Sequence, residues 1–169
     1  MLGWMSLTLK VSGLGTLETM GTREAAVRTR REGFELTTDQ ATSLRLGRVR
    51  RSGTEPELIV RRLVRGLGHR YRISNRALPG SPDLANRRRG WVIFVHGCYW
   101  HRHQDCSKAT TPKNNRAFWL AKFERNVARD RRVSRELRRA GLRVIVIWEC
   151  ETKDERRLER KLARRLGEV

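Results

Sequence analysis

Two runs, Trp91-Val92-Ile93-Phe94-Val95 and Arg143 to Trp148 (RVIVIW), constrain this chain more than anything else in it. Both are short and rich in β-branched residues, and they are too apolar to leave either face to water, so each reads as a strand covered on both sides. Such strands need helices above and below them. One is at hand from about Asn115 to Ala140, where helical periodicity runs to Gly141, a residue suited to the left-handed position after a helix. A second begins at Thr54-Glu55-Pro56-Glu57, with Thr at the N-cap, Pro in the first turn and Glu three residues on. Leu58, Ile59, Leu63 and Leu67 continue it to an end at Gly66 or Gly68. A short run from His69 to Ile73, the turn Leu78-Pro79-Gly80 and the stretch Pro82-Asp83-Leu84 follow, then a basic turn from Asn86 to Gly90. A charged helix closes the chain. The order strand, strand, helix, strand predicts an α/β three-layer sandwich, a mixed central β-sheet flanked by helices.

Composition names a class of partner. The 38 Lys and Arg against 18 Asp and Glu give a formal charge of +20. Residues 1–36 contribute little to this excess, with five basic and four acidic residues. A compact basic domain attracts a polyanion, and phosphate contacts give affinity without sequence preference. Residues 1–36 have no sustained period, and Met5 and Met20 each offer another start, so this segment is expected to be a disordered or mis-assigned N-terminal extension ahead of one domain over 37–169. Thr38 and Asp39 can cap a short basic helix to about Arg51, whose arginines either track a phosphate backbone or form a solvated face. Three cysteines, an odd count, and an early apolar stretch broken by Lys10 point to a reducing cytoplasmic, nucleoid-associated location. No stretch reaches the roughly 18 to 20 apolar residues of a membrane span.

The segment His96-Gly97-Cys98-Tyr99-Trp100-His101-Arg102-His103-Gln104-Asp105-Cys106 holds three of the four histidines and two of the three cysteines. Soft thiolates with an imidazole suit a closed, tetrahedral structural zinc site. Cys98, one of His101 or His103, Cys106 and the distant Cys150 would supply it; reduced buried cysteines beside solvent histidines are the plainer alternative. Asp83 follows a Pro-containing turn and is brought back toward His96, so its carboxylate can bind magnesium or merely form the turn. At about 100° per residue, Trp119, Phe123, Val127, Val133 and Leu137 make one apolar stripe, with Asn126 and Asp130 inside it. A carboxylate there needs a histidine, a metal or an ordinary salt-bridge partner. Tyr99 and Trp100 are expected to find little to pack on in a polar loop unless a partner supplies it, which suits stacking or wedging between bases. Trp119 is either core or part of the same wedge.

Taken in order, the segments TEPEL, LPGSPD, VIFVHGCYWHRHQDC, FWLAKFERNVARD and RVIVIWEC resemble the successive motifs of very-short-patch repair (Vsr-type) endonucleases, over about Thr37 to Glu151. The resemblance implies a restriction-endonuclease-like fold, a structural Zn2+ and Mg2+-dependent nicking beside the thymine of a T·G mismatch left by deamination of 5-methylcytosine. It makes Asp83 and the backbone carbonyl of Val95 the magnesium ligands, His96 and His101 catalytic, Asp130 the orienter of one of them, and Glu57 an acidic site residue. Cys98, His103, Cys106 and Cys150 become the zinc set, and Tyr99, Trp100, Trp119 and Asn126 contact DNA. Phe94 and His96 stand where restriction endonucleases carry a second acid and a lysine, so histidine must do the work of that lysine, as general base or acid. A monomer acting on mismatched double-stranded DNA, with mismatch-repair proteins as candidate partners, is implied. Two other readings compete: a sequence-specific nickase or restriction-type nuclease linked to a cytosine methyltransferase, and a non-catalytic zinc-containing nucleic-acid-binding protein.

Overall fold

A computed structural model describes residues 26–31, 33–50 and 52–168. Its elements, in chain order, are β1 (Ala26–Arg31), β2 (Phe34–Asp39), α1 (Gln40–Gly47), α2 (Glu55–Gly66), β3 (Leu84–Asn86), β4 (Trp91–His96), α3 (Arg116–Arg139), β5 (Arg143–Trp148), a 3-10 turn (Glu149–Lys153) and α4 (Glu155–Leu166). The two apolar runs are β4 and β5, paired in parallel, with β3 antiparallel on the other side of β4. Alternation along β4 divides the core: Trp91 and Ile93 pack with Val60 and Val64 of α2 and Leu158 and Leu162 of α4, whereas Val92 and Phe94 pack with Val133 and Leu137 of α3. The sheet is therefore a mixed one with helices on both faces. No helix among the described residues is long and apolar enough to cross a membrane.

The N-terminal boundary differs from the sequence expectation. A β-hairpin occupies 26–39, starting eleven residues ahead of the boundary expected at Thr37, while residues 1–25 lie outside the described residues. Gly33 turns it at a φ of 82°. Phe34, Leu36 and Thr38 face the body, and Glu35 and Thr37 face out. What holds the hairpin is distant in sequence. The Asn115 side chain accepts from Thr37 N (3.1 Å) and donates to Thr37 O (2.9 Å), and Phe34 meets Phe118 edge-on at 5.8 Å. That contact also buries Phe118, which lies outside the stripe expected on α3. Asp39 caps α1 by accepting from Thr42 N at 2.6 Å; this helix ends at Gly47 rather than Arg51 and buries no residue.

The turn before Asp83 is pressed against α3. Gly80 has a φ of 70°, and a Cβ built there would stand 2.5 Å from Val133 Cγ1. Gly141 has a similar φ of 79° but open space around it. Alanine at Gly141 should cost about 1 to 2 kcal/mol for the left-handed backbone alone. Alanine at Gly80 should cost a further 1 to 3 kcal/mol or so for overpacking against Val133. Urea unfolding of both variants measures the difference, and equal losses would mean that α3 yields freely.

Candidate active site and metal centre

Parallel register builds the first cluster. His96 lies opposite Trp148 at the ends of β4 and β5, so two further residues on each chain bring Cys98 and Cys150 side by side. His103 returns between them: its Nδ1 is 3.6 Å from Cys98 Sγ and 3.3 Å from Cys150 Sγ, and its ring stacks on Trp148 at 4.2 Å. The ligand-type atoms of Cys98, His103, Cys106 and Cys150 all lie within 4.8 Å of one another, a set able to hold a metal ion. Without a cation, burial and then sharing between thiols push the Cys98 thiol up to about 12. The backbone N–H of Lys108 is the main influence pulling Cys106 down. A bound divalent cation would favour the thiolates.

The sequence left His101 and His103 as alternatives for this set, and the structure places them apart. His101 Nδ1 lies 2.5 Å from Asp130 Oδ2, an arrangement that makes Nδ1 the donor to the carboxylate and leaves Nε2 outside that bond. Its ring stacks on His96 at 3.9 Å and 11°. Burial raises the Asp130 carboxyl, but the His101 hydrogen bond and the charges of His101, His96 and Arg129 outweigh it, and the net shift is downward. Burial, then the charge of His101, lowers His96 to about 4, so it is neutral near pH 7. The stripe on α3 thus carries Asp130 to a histidine, and His96, His101 and Asp130 form a second tight group.

Asp83 stands beside this group without joining it. Its Oδ2 accepts from Val95 N at 2.7 Å, which ties the start of β3 to the residue before His96. Burial raises its carboxyl; the Val95 bond opposes this and the charge of Glu57 adds to it. Glu57, only 4% exposed, accepts from Gly53 N (3.0 Å), Thr54 N (3.4 Å), Thr54 Oγ1 (2.9 Å) and Arg61 Nη2 (2.8 Å). Both readings of Glu57 therefore have a physical footing: it secures the start of α2, and its charge is felt at Asp83.

Tyr99 and Trp100 are not short of packing partners, contrary to expectation. Tyr99 meets Trp100 at 4.9 Å and Phe123 at 5.1 Å, both edge-on, and Trp100 lies 6.1 Å from Trp119. The partner of their loop is α3, which supplies Trp119 and Phe123. Asn126 donates to Trp100 O at 3.0 Å and fixes that loop. Trp100, Trp119 and Asn126 line a cleft of about 1040 Å³ together with Val95, Gly97, His101 and Glu149. Leu46 and Val49, 37% and 44% exposed, line it as well. Sequence reasoning missed them because it attended to the arginines of that segment. It also missed Glu149, which accepts from Cys98 N at 3.3 Å and pairs with Lys108; adjacency to Cys150 was the only local signal.

Comparison with known proteins decides the family. The family model described as DNA mismatch endonuclease Vsr matches residues 35–108. The type II nicking enzyme V.XorIIP of Xanthomonas oryzae pv. oryzae is 43% identical over 114 residues, covering 68% of this chain and 83% of that relative. The chain belongs to the Vsr family of DNA mismatch endonucleases. Other Vsr-type relatives agree: V.NmeAIP of Neisseria meningitidis, a type II nicking enzyme, is 39% identical over 116 residues (69% of this chain, 82% of the relative). The DNA mismatch endonuclease Vsr of Escherichia coli is 39% identical over 107 residues (63% and 68%). This Vsr-family chain is accordingly a hydrolase acting on DNA, and the family match spans the hairpin's second strand through the loop that holds Cys98, His103 and Cys106.

Because Cys150 is the member of the metal-capable set that joins that loop to the end of β5, a bound metal would make Cys150→Ser lose most of it and melt well below wild type. Elemental analysis of purified protein should find one ion per chain in wild type. Metal-free protein with an unchanged melting temperature would remove the metal centre from the fold.

Proposed function

We propose that this Vsr-family chain nicks one strand of duplex DNA beside the thymine of a T·G mismatch in a magnesium-dependent reaction. The observation that carries the reading is the grouping around the end of β4: a half-buried carboxylate at Asp83 tied to Val95, and, lining one cleft, a carboxylate-backed imidazole at His101 and the rings of Trp100 and Trp119. A mixed sheet with helices on both faces and an acid at the start of its edge strand supports a restriction-endonuclease-like fold for the described residues.

The donor chemistry suits two different cations. Thiolates with an imidazole favour zinc at Cys98, His103, Cys106 and Cys150, as a structural tie. Hard oxygen donors suit magnesium at Asp83 and the carbonyl of Val95, where a divalent charge relieves a carboxyl strained by burial and by Glu57. An ion held there by Asp83 and the Val95 carbonyl would supply Lewis-acid stabilisation of charge on the scissile phosphate. His101, with Nδ1–H given to Asp130, offers Nε2 as the atom that takes or gives a proton in the reaction. His96, neutral through burial, adds no charge of its own beside that imidazole. Tyr99, Trp100 and Trp119 form a preassembled wedge, so little ordering is needed when it enters the stack. Unstacking costs a few kcal/mol and costs least at an imperfect pair, which favours mismatches.

Nicking of T·G and fully matched duplexes, with magnesium or with chelator, tests this reading. Asp83→Ala should lower nicking by more than about a hundredfold with duplex binding retained, the scale of losing one group that stabilises developing charge. Persistent cleavage would move the magnesium site elsewhere. Trp100→Ala should lower T·G nicking roughly ten- to hundredfold, the range for one lost base stack, with matched-duplex binding little changed. Loss that merely follows the folded fraction would return the ring to a structural role. V.XorIIP and V.NmeAIP are named as type II nicking enzymes rather than mismatch endonucleases, which supports a second reading, nicking at a particular sequence without need of a mismatch. Equal cleavage of matched and mismatched duplexes at one sequence would select it.

A further inference from the structure

The far end of the sheet carries a feature that the cleft does not use. Strand β4 runs six residues from Trp91 to His96, so its start lies about 17 Å from the catalytic end. There, Arg70 to Arg72, Asn75 and the β3–β4 turn enclose a second groove of about 550 Å³. Its backbone is fixed from several directions. Arg72 and Ala85 exchange hydrogen bonds of 2.8 and 3.0 Å, Asn86 donates to Arg70 O at 2.8 Å, and Asn75 donates to Arg72 O and Pro82 O.

The arginines at this end divide into two groups. Arg89 and Arg143 donate to the carbonyls of Glu168 and Arg165, at the end of α4, where a helix leaves carbonyls unpaired. Arg70, Arg72, Arg87 and Arg88 have exposed side chains lining the groove, and none makes an ion pair with a carboxylate among the described residues. Four like charges on a rigid frame repel one another unless an anion joins them. Guanidinium forks match phosphate oxygens two at a time, and a frame already held in place loses little freedom on binding.

We propose that this groove is a second DNA-backbone site, separate from the catalytic cleft, which lets one chain hold two duplex segments at once. Duplex phosphate is the favoured occupant because the chain already acts on DNA and because the four cations surround a groove with no acidic lining residue. The site reads no sequence. Its effect is on the search for a target, through transfer between neighbouring segments, and not on the chemistry of the nick.

Titration with a fluorescent matched duplex of one helical turn tests the proposal, using the full chain and the variant Arg70→Gln/Arg72→Gln/Arg87→Gln/Arg88→Gln. Wild type should bind two such duplexes per chain, the second with a logarithmic salt slope of about −3.6, as expected for four phosphate contacts. The variant, with an unchanged melting curve, should bind one and should nick a short T·G duplex within about twofold of wild type. A wild-type stoichiometry of one, or a variant that still binds two, overturns the second site. A parallel loss of nicking would make the groove part of the catalytic footprint. Binding of a polyglutamate peptide without a second duplex would assign the groove to an acidic protein instead. Because stoichiometry is read on matched DNA, these outcomes do not depend on T·G selectivity.

Discussion

The parallel pairing of β4 with β5 is the constraint on which the functional end of the molecule rests. It sets His96 opposite Trp148, and that alignment makes neighbours of Cys98 and Cys150. A slip of one residue would turn every side chain of a strand to the wrong layer, and here both layers are packed, so the register has little freedom. From it follows the rigidity of a long loop without regular structure. Glu149 accepts from Cys98 N, Arg102 donates to Ala109 O and Thr110 O, and Asn126 holds Trp100 O. The same loop holds Cys98, His103 and Cys106 of the metal-capable set and also His101, Tyr99 and Trp100.

Much of this was legible because it is encoded over short distances. The apolar runs, the Thr54 and Asp39 caps, Gly141 after α3 and the Cys and His spacing are each local signals, and each describes its own element correctly. What escaped depends on partners far along the chain. The hairpin is held by Asn115 and Phe118, 78 and 84 positions from Thr37 and Phe34 respectively. The rings of Tyr99 and Trp100 are supported by α3, and Asp130, 29 residues on, separates His101 from the sulfur set. Spacing alone left His101 and His103 as alternatives; the register and Asp130 are what group His103 with the cysteines and His101 with the carboxylate.

Carboxylates are scarce in so basic a chain, and their positions are correspondingly purposeful. Glu57 secures the start of α2, Asp130 fixes one imidazole, and Glu149 braces the loop. Glu151 accepts from Trp148 N and pairs with Lys161, joining the end of β5 to α4. Among the described residues, Asp83 is the carboxylate whose affinity for a proton is raised, by burial first and with the like charge of Glu57 nearby. An abundance of arginine makes a polyanion welcome over the whole surface, and the distribution of acids determines where that attraction becomes specific geometry.

The close approach of the Gly80 turn to Val133 links two positions 53 residues apart into one unit of inheritance. A side chain larger than hydrogen at 80 has room only if 133 becomes smaller than valine, and a bulkier residue at 133 tightens the demand for glycine at 80. Among homologues these two columns should therefore drift together or not at all. The position of the Asp83 carboxylate is in this sense guarded by a pair of residues, neither of which touches it or carries a charge.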